Sequence, residues 1–148
     1  MNLPMKSVVI PIEEGSNSDW AVDHAIALYR QEPVRVYLLN VRRSFPQYVT
    51  RFISKQEMRA FHHENGMRAL KPAADRLDAR GVPHLDHVLI GRQKAARIVQ
   101  FAREHRCRQI ILPKRSGGAL AEVILGSVGG QIRHLIGADE PCAICEVY

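Results

Sequence analysis

The sequence predicts an α/β protein with an open five-stranded parallel sheet and helices on both of its faces. Strand-sized runs of consecutive apolar residues, such as residues 8–12 and 110–113, are typical of strands that helices cover on both faces. Segments with apolar residues at helical spacing separate these runs, and they are long enough for the right-handed crossovers that parallel strands require. The predicted element order is therefore β-α-β-α-β-α-β-α-β.

Length and composition predict one domain over residues 1–148. The chain carries 21 Lys and Arg against 15 Asp and Glu, which gives a formal net charge of +6. With 46% apolar and 24% charged residues, the composition excludes disordered, collagen-like and disulfide-scaffold proteins. No apolar run approaches the roughly 20 residues that a membrane helix needs, and no signal-peptide pattern is visible. Since three cysteines also fit a reducing compartment, we expect a cytoplasmic protein without a membrane span.

The first predicted helix lies between two buried strands. Its N-terminus is indicated by the cap-forming residues Ser-Asn-Ser at positions 16–18, and Pro33 closes it. Between these limits the apolar residues recur at i, i+3, i+4 and i+7: Val22, Ala25, Ile26 and Tyr29. Residues 36–41 repeat the buried-strand pattern. Residues 42–53 mix polar, proline and aromatic residues without a period, so we expect a long loop there.

The second predicted helix occupies residues 54–81 and contains a proline. Pro72 removes the hydrogen bond to the carbonyl of Arg68, so we expect a kink or a break there. Gly81 suits the C′ position that follows the helix. Residues 84–90 mix polar and apolar side chains in the manner of an exposed edge strand.

The remainder of the chain predicts two further helices and two strands. The third helix ends near His105 and carries a stripe of apolar residues: Ala95, Ile98, Val99 and Ala102. The fourth strand covers residues 109–113. The fourth helix has an apolar stripe despite three internal glycines: Leu120, Ile124, Val128, Ile132 and Leu135. Residues 142–147 form a short apolar strand at a sheet edge, and because an unpaired edge can pair with a second copy, we expect a homodimer.

Open parallel sheets bind ligands at the carboxyl ends of their strands, near the reversal in strand order. Glu-Glu-Gly-Ser at 13–16, Val-Arg-Arg at 41–43 and Pro-Lys-Arg-Ser-Gly-Gly at 113–118 follow strands one, two and four. A basic, glycine-rich loop that leads into a helix favours an anion, because exposed N–H groups and the helix dipole point positive charge at it. The alternative is a plain turn at 116–118, with the later glycines serving only close helix packing.

These residues resemble the universal stress protein family along nearly the whole chain. Residues 10–25 are similar without gaps to that family's opening, in which Asp-Gly-Ser follows the first strand. Later landmarks match in order and spacing: Leu-Leu-Asn-Val at 38–41, Gly91 before a helix, Ile-Ile-Leu at 110–112, Leu-Gly-Ser-Val at 125–128 and Pro-Cys-Ala-Ile-Cys at 141–145. The resemblance implies a Rossmann-like fold of the adenine-nucleotide alpha-hydrolase type. It also implies a homodimer in which the two last strands pair across a two-fold axis.

The family's ATP-binding members share a phosphate loop of the form G-x2-G-x9-G-[S/T], which this chain matches only in part. Gly126 and Ser127 stand at the final pair, and Val128 follows them. Pro113 and Ser116 replace the two earlier glycines. Because proline has no N–H and serine adds a side chain where bare backbone would approach phosphate, the loop predicts weak ATP binding or none.

The resemblance also implies an adenine-binding side of the same site. Glu13 occupies the acidic position after strand one, and Val41 is the backbone contact for the base at the end of strand two. Pro11 and Leu112 complete this side of the site. The resemblance thus makes an adenine nucleotide the expected ligand, if one binds.

No pattern in the sequence requires catalysis or a metal. Cys142 and Cys145, like His84 and His87, are three apart on predicted strands, so each pair points to opposite faces and cannot chelate an ion. No catalytic triad can be assembled. We therefore expect a dimeric, non-enzymatic signalling or protective module with a weak or lost nucleotide site. The alternative is an ATP-dependent switch that uses the intact part of the loop.

A second alternative, a nucleic-acid-associated factor, rests on the charge of one segment. Residues 92–115 contain eight basic residues against the single acid Glu104. Aromatic residues between them are limited to Phe101, and no helix motif that reads nucleic acid is present. A solvated helix face therefore explains this segment better, and nucleic acid is not an expected partner.

Overall fold

The sheet is parallel throughout, with the strand order β3-β2-β1-β4-β5. The computed structural model describes residues 5–113, 128–137 and 143–147. The strands are β1 (Ser7–Pro11), β2 (Arg35–Arg42), β3 (His84–Ile90), β4 (Cys107–Pro113) and β5 (Ala143–Val147). The order reverses between β1 and β4, which places the switch point of the sheet beside the carboxyl end of β1. The predicted α/β class with a parallel sheet is confirmed.

Helices cover both faces of the sheet. Alternate residues of a strand point to opposite faces, so the side chains of one strand can pack against helices on both sides. The helices are α1 (Asp19–Gln31), α2 (Gln47–Thr50), α3 (Lys55–Ala79), α4 (Lys94–Glu104) and α5 (Val128–Ile136). One core joins Val8 and Ile10 of β1 to α1 and α3. The other core joins Val9 of β1 to α4 and α5. Both faces of β1 are thus buried, as the continuous apolar run of its sequence predicts.

Two local predictions are wrong, namely a break at Pro72 and one long loop over residues 42–53. Helix α3 continues through Pro72 without a break. Pro72 lies on the exposed face of α3, where water can satisfy the carbonyl that loses its helical partner, while the buried stripe continues on the other face through Leu70, Ala73 and Leu77. The segment 42–53 is not one irregular loop either, because β2 extends to Arg42 and α2 follows.

The helix ends follow local backbone rules. Gly81 follows Arg80, the C-cap of α3, and has a φ of +70°. Its N–H donates to the carbonyl of Asp78, so the predicted C′ role is confirmed. At the start of α1 the side-chain oxygen of Asn17, not that of Ser18, accepts the backbone N–H of Asp19 at 3.0 Å. Residues 84–90 form β3 at one edge of the sheet, also as predicted.

Gly66 allows α3 to lie directly against β3. A Cβ atom added at Gly66 would lie 2.6 Å from Cγ2 of Val88, closer than real side chains approach each other. Gly66 therefore stands within the helical pattern because a larger side chain would collide with Val88 of β3. The same contact fixes how closely α3 approaches the edge of the sheet.

We expect Gly66→Ala to destabilise the protein by about 1–3 kcal/mol, because α3 must move away from β3 to make room for the methyl group. In a helix without this contact, the same substitution would add up to about 1 kcal/mol of stability. Urea unfolding of Gly66→Ala, Val88→Ala and the double variant measures the contact. The double variant should recover part of the loss, and a stabilised Gly66→Ala protein would contradict the close approach.

Candidate functional site

A cleft of about 260 Å³ opens at the carboxyl ends of β1 and β2, next to the start of α4. It lies at the edge of the sheet where open α/β folds bind their ligands. Seven residues from three parts of the chain line it: Glu13, Glu14, Asn40, Val41, Arg42, Arg43 and Lys94. The cleft thus combines two carboxylates, three cations and a buried amide.

Asn40 fixes the rim of the cleft by joining the end of β2 to the end of β1. Its Nδ2 atom donates a hydrogen bond to the carbonyl of Ile12 at 2.7 Å. The backbone N–H of Ile12 donates in turn to the carbonyl of Leu39 at 2.8 Å. These two bonds carry the pairing of β1 with β2 one residue beyond Pro11, the last residue of β1. The position of Glu13 follows directly from them.

Three buried polar atoms around β2 have no hydrogen-bond partner among the described residues. They are Oδ1 of Asn40, Nε of Arg42 and Nδ1 of His62. Asn40 and Arg42 are two residues apart on β2, so both point toward the face that α3 covers. Buried polar groups in folded proteins almost always have a partner. One of these atoms, Oδ1 of Asn40, belongs to a residue that lines the cleft and is only 3% exposed.

The charges of the cleft partly neutralise each other. Arg42 lies 3.4 Å from Glu14, and Nζ of Lys94 lies 4.0 Å from a carboxylate oxygen of Glu13. Arg43 is exposed and has no carboxylate partner among the described residues. Three cations against two carboxylates leave one positive charge in excess. This balance favours an anionic ligand.

His62 lies on α3, and its surroundings favour the neutral form of its ring. Its ring is buried and packs against Phe45, with the ring centroids 4.8 Å apart. Burial lowers the pKa of His62, and the positive charge of Arg42 lowers it further. A neutral His62 ring at pH 7 places no positive charge next to the guanidinium of Arg42.

The structure brings together only some of the predicted site residues. Glu13 and Val41 both line the cleft. Pro11 and Leu112 are buried near the ends of their strands and do not line it, and Val128 begins α5 and packs against the core on the α4 side. The phosphate-loop positions Ser116, Gly126 and Ser127 lie outside the described residues, as does Cys142.

Sequence reasoning missed two residues of the cleft. Asn40 is the one polar residue in the predicted buried strand 36–41, and that exception was the available signal. Lys94 gave none, because it enters the site from the start of α4, about fifty residues further along the chain. Only the packing of α4 against the sheet brings it there.

The histidines that the sequence weighed as metal ligands have other contacts. His84 bonds Asp86 at 2.6 Å and Asp78 at 2.8 Å, whereas the ring of His87 packs against Tyr37 and Phe101. Within residues 5–113, 128–137 and 143–147, no three His, Cys, Asp or Glu side chains are grouped as a metal site. In the same residues, no helix is both long enough and apolar enough to cross a membrane.

Comparison with known proteins relates the whole architecture to one family. The chain matches the model of the universal stress protein family over residues 4–136. It is similar to a universal stress protein from Archaeoglobus fulgidus in complex with dAMP, with 16% identity, 97% of this chain and 98% of that chain covered, and a TM-score of 0.66. No curated protein sequence matched the chain.

Two further solved structures share the fold and were also determined with nucleotides. A universal stress protein in complex with cAMP is 19% identical, with 97% of each chain covered and a TM-score of 0.67. A universal stress protein family protein from Arabidopsis thaliana with AMP bound is 14% identical, with 97% of this chain and 92% of that chain covered and a TM-score of 0.56. Because the sequence identities are low, these structural similarities show only that the fold is shared.

We expect Asn40→Asp to destabilise the protein more than Asn40→Leu at neutral pH. The carboxylate cannot donate to the carbonyl of Ile12 and adds a buried charge, whereas leucine only loses the bond, at a cost of about 1–3 kcal/mol. Acidification should narrow the gap, because a protonated carboxyl group donates again. Urea unfolding across the acid range measures this, and equal losses for both variants at every pH would contradict the role of Asn40.

Proposed function

Because the chain belongs to the universal stress protein family, we propose that its cleft binds an adenine nucleotide weakly and that the protein is a dimeric, non-enzymatic signalling or protective module. One observation carries the proposal. Glu13 and Val41, the two positions that the family resemblance assigns to the adenine side, line the same cleft at the carboxyl ends of β1 and β2. The relatives determined with AMP, dAMP and cAMP support an adenine nucleotide as the ligand class.

Each part of the cleft suits a different part of a nucleotide. The backbone of Val41 can pair with the edge of an adenine ring, which presents both a donor and an acceptor. The carboxylate of Glu13 can accept from a ribose hydroxyl or from the adenine amine. Lys94 and Arg43 supply positive charge for phosphate.

Weak affinity follows from what the nucleotide must replace and from what the loop lacks. The ion pairs of Glu13 and Glu14 are exposed, so rearranging each costs about 0–1 kcal/mol. The changes in the phosphate loop matter more. Pro113 removes one N–H donor, and a hydrogen bond to a charged group contributes about 1.5–3 kcal/mol, while the side chain of Ser116 crowds the path of the phosphates. We therefore expect a Kd for ATP of about 10⁻⁴ M or weaker.

The dimer would form through β5. This strand stands at one end of the strand order and pairs only with β4, so its other side is open within the described residues. A second copy pairing there would continue the sheet across a two-fold axis.

A cytoplasmic location fits the reducing compartment that the cysteine content favours. We expect no ATP hydrolysis.

Calorimetry with adenosine, AMP, ATP and GMP tests the nucleotide proposal. We expect Glu13→Gln to weaken all three adenine ligands by about tenfold or more, since it removes a charged acceptor. Lys94→Gln should weaken AMP and ATP but not adenosine. Pro113→Gly with Ser116→Gly should tighten ATP, and Ser127→Ala should reverse part of that gain.

The exposed Glu64→Gln on α3 is the matched control for the charge change and should leave every affinity unaltered. Tight ATP binding by the unmodified protein, with a Kd of about 10⁻⁶ M or below, would support an ATP-dependent switch instead. Equal affinity for GMP, or no effect of Glu13→Gln, would contradict an adenine site in this cleft.

The dimer is tested with two single proline substitutions, Ile144→Pro and Cys145→Pro. Consecutive N–H groups of a strand point to opposite sides, so one substitution removes a donor facing β4 and the other a donor facing the open edge. We expect sedimentation to show a dimer for the unmodified chain and a folded monomer of 16.7 kDa for one variant only. A monomeric unmodified chain would contradict the dimer.

A further inference from the structure

The segment that connects β2 to α3 exposes an unusual number of aromatic rings. Tyr48 is 71% exposed, Phe52 is 87% exposed and Phe61, at the start of α3, is 47% exposed. Single exposed apolar side chains are ordinary, but three large rings from a stretch of fewer than twenty residues indicate a contact surface. These rings belong to neither hydrophobic core and do not line the cleft at the carboxyl ends of β1 and β2.

The rings are held on an ordered support. Phe45 packs against Phe61 and His62, with ring centroids 5.5 and 4.8 Å apart, and so fixes the segment to α3. The N–H of Phe52 donates to the carbonyl of Val49, which continues the helical turn of α2. Tyr48 lies within α2, and Phe52 follows two residues after its end.

The same segment has four cations that lack a carboxylate partner among the described residues. Arg43, Arg51, Lys55 and Arg59 are all exposed and form no ion pair there, whereas Arg68, Lys71 and Arg76 on the rest of α3 are all paired. Residues 43–61 contain a single acid, Glu57. We call the exposed surface of residues 43–61, which carries Arg43, Tyr48, Arg51, Phe52, Arg59 and Phe61, the aromatic-basic face.

We propose that the aromatic-basic face binds single-stranded nucleic acid. Bases would stack on Tyr48, Phe52 and Phe61, and phosphates would lie against Arg43, Arg51 and Arg59. Exposed rings with guanidinium groups between them form the pattern that sequence-tolerant single-strand binding needs, because every base has a stacking face and every linkage has a charge.

The highest density of basic residues in the sequence does not make a comparable surface. The one aromatic ring within residues 92–115, Phe101, is buried. Arg97 bonds Gln100, and Arg103 bonds the carbonyl of Leu135. The aromatic-basic face instead adjoins the nucleotide cleft through Arg43, although its binding does not require that cleft to hold a nucleotide.

The probe is a fluorescent oligothymidylate of about twelve nucleotides. This length lies within the roughly 4–16 nucleotides of typical single-strand sites, and the probe has no adenine for the cleft. We expect binding that falls steeply with salt. Tyr48→Ala with Phe52→Ala should weaken it by about tenfold or more. Arg51→Gln with Arg59→Gln should reduce the slope of log affinity against log salt by about 1.4, the value for two phosphate contacts on a single strand.

The exposed pair Arg92→Gln with Arg108→Gln removes the same charge elsewhere and should preserve both affinity and slope. Tyr48→Leu with Phe52→Leu keeps apolar area but no ring, so stacking predicts a loss as large as with alanine. Full oligonucleotide binding by the leucine pair would overturn the proposal. Binding of the unmodified protein to phosphatidylserine vesicles but not to the oligonucleotide would also overturn it. Equal losses in the Arg92 and Arg108 variant, or no binding by the unmodified protein at low salt, would also overturn it.

Discussion

The burial of β1 on both faces is the constraint from which the rest of the structure follows. Val9 faces one helical layer and Ile10 the other, and neither side chain reaches solvent. A strand covered in this way can present polar groups only at its ends. The carboxyl end of β1 lies beside the reversal in strand order, so the charged residues that follow it meet those that follow β2 and those at the start of α4. The cleft is therefore a consequence of the sheet, and the bond from Asn40 to Ile12 sets its rim.

Local signals in the sequence predicted the elements whose causes are local. The apolar run of β1, the mixed pattern of β3 and the glycine after α3 each report their own surroundings, which is why the α/β class, the edge strand and the role of Gly81 could be predicted. Pro72 misled because its effect on α3 depends on the side of the helix it occupies, and only packing decides that. Gly66 is explained by Val88, which is more than twenty residues away.

The residues of the candidate site could likewise be predicted only in part. The resemblance placed Glu13 and Val41 in one site, and both line the cleft. It could not indicate that Lys94 would approach Glu13, because the family pattern describes positions and not the ion pairs of one chain. If both proposals hold, the weak nucleotide site and the aromatic-basic face adjoin each other at Arg43. One lies at the strand ends and the other on the segment that leads into α3.

The account is tested most directly by following backbone and side-chain amide signals in heteronuclear NMR while AMP is added. It predicts that the largest shifts occur at the side-chain amide of Asn40 and at the backbone amides of Glu13, Val41 and Arg43, in fast exchange as weak binding requires. Shifts centred on another part of the chain, or no shifts at millimolar AMP, would contradict a nucleotide site at the carboxyl ends of β1 and β2.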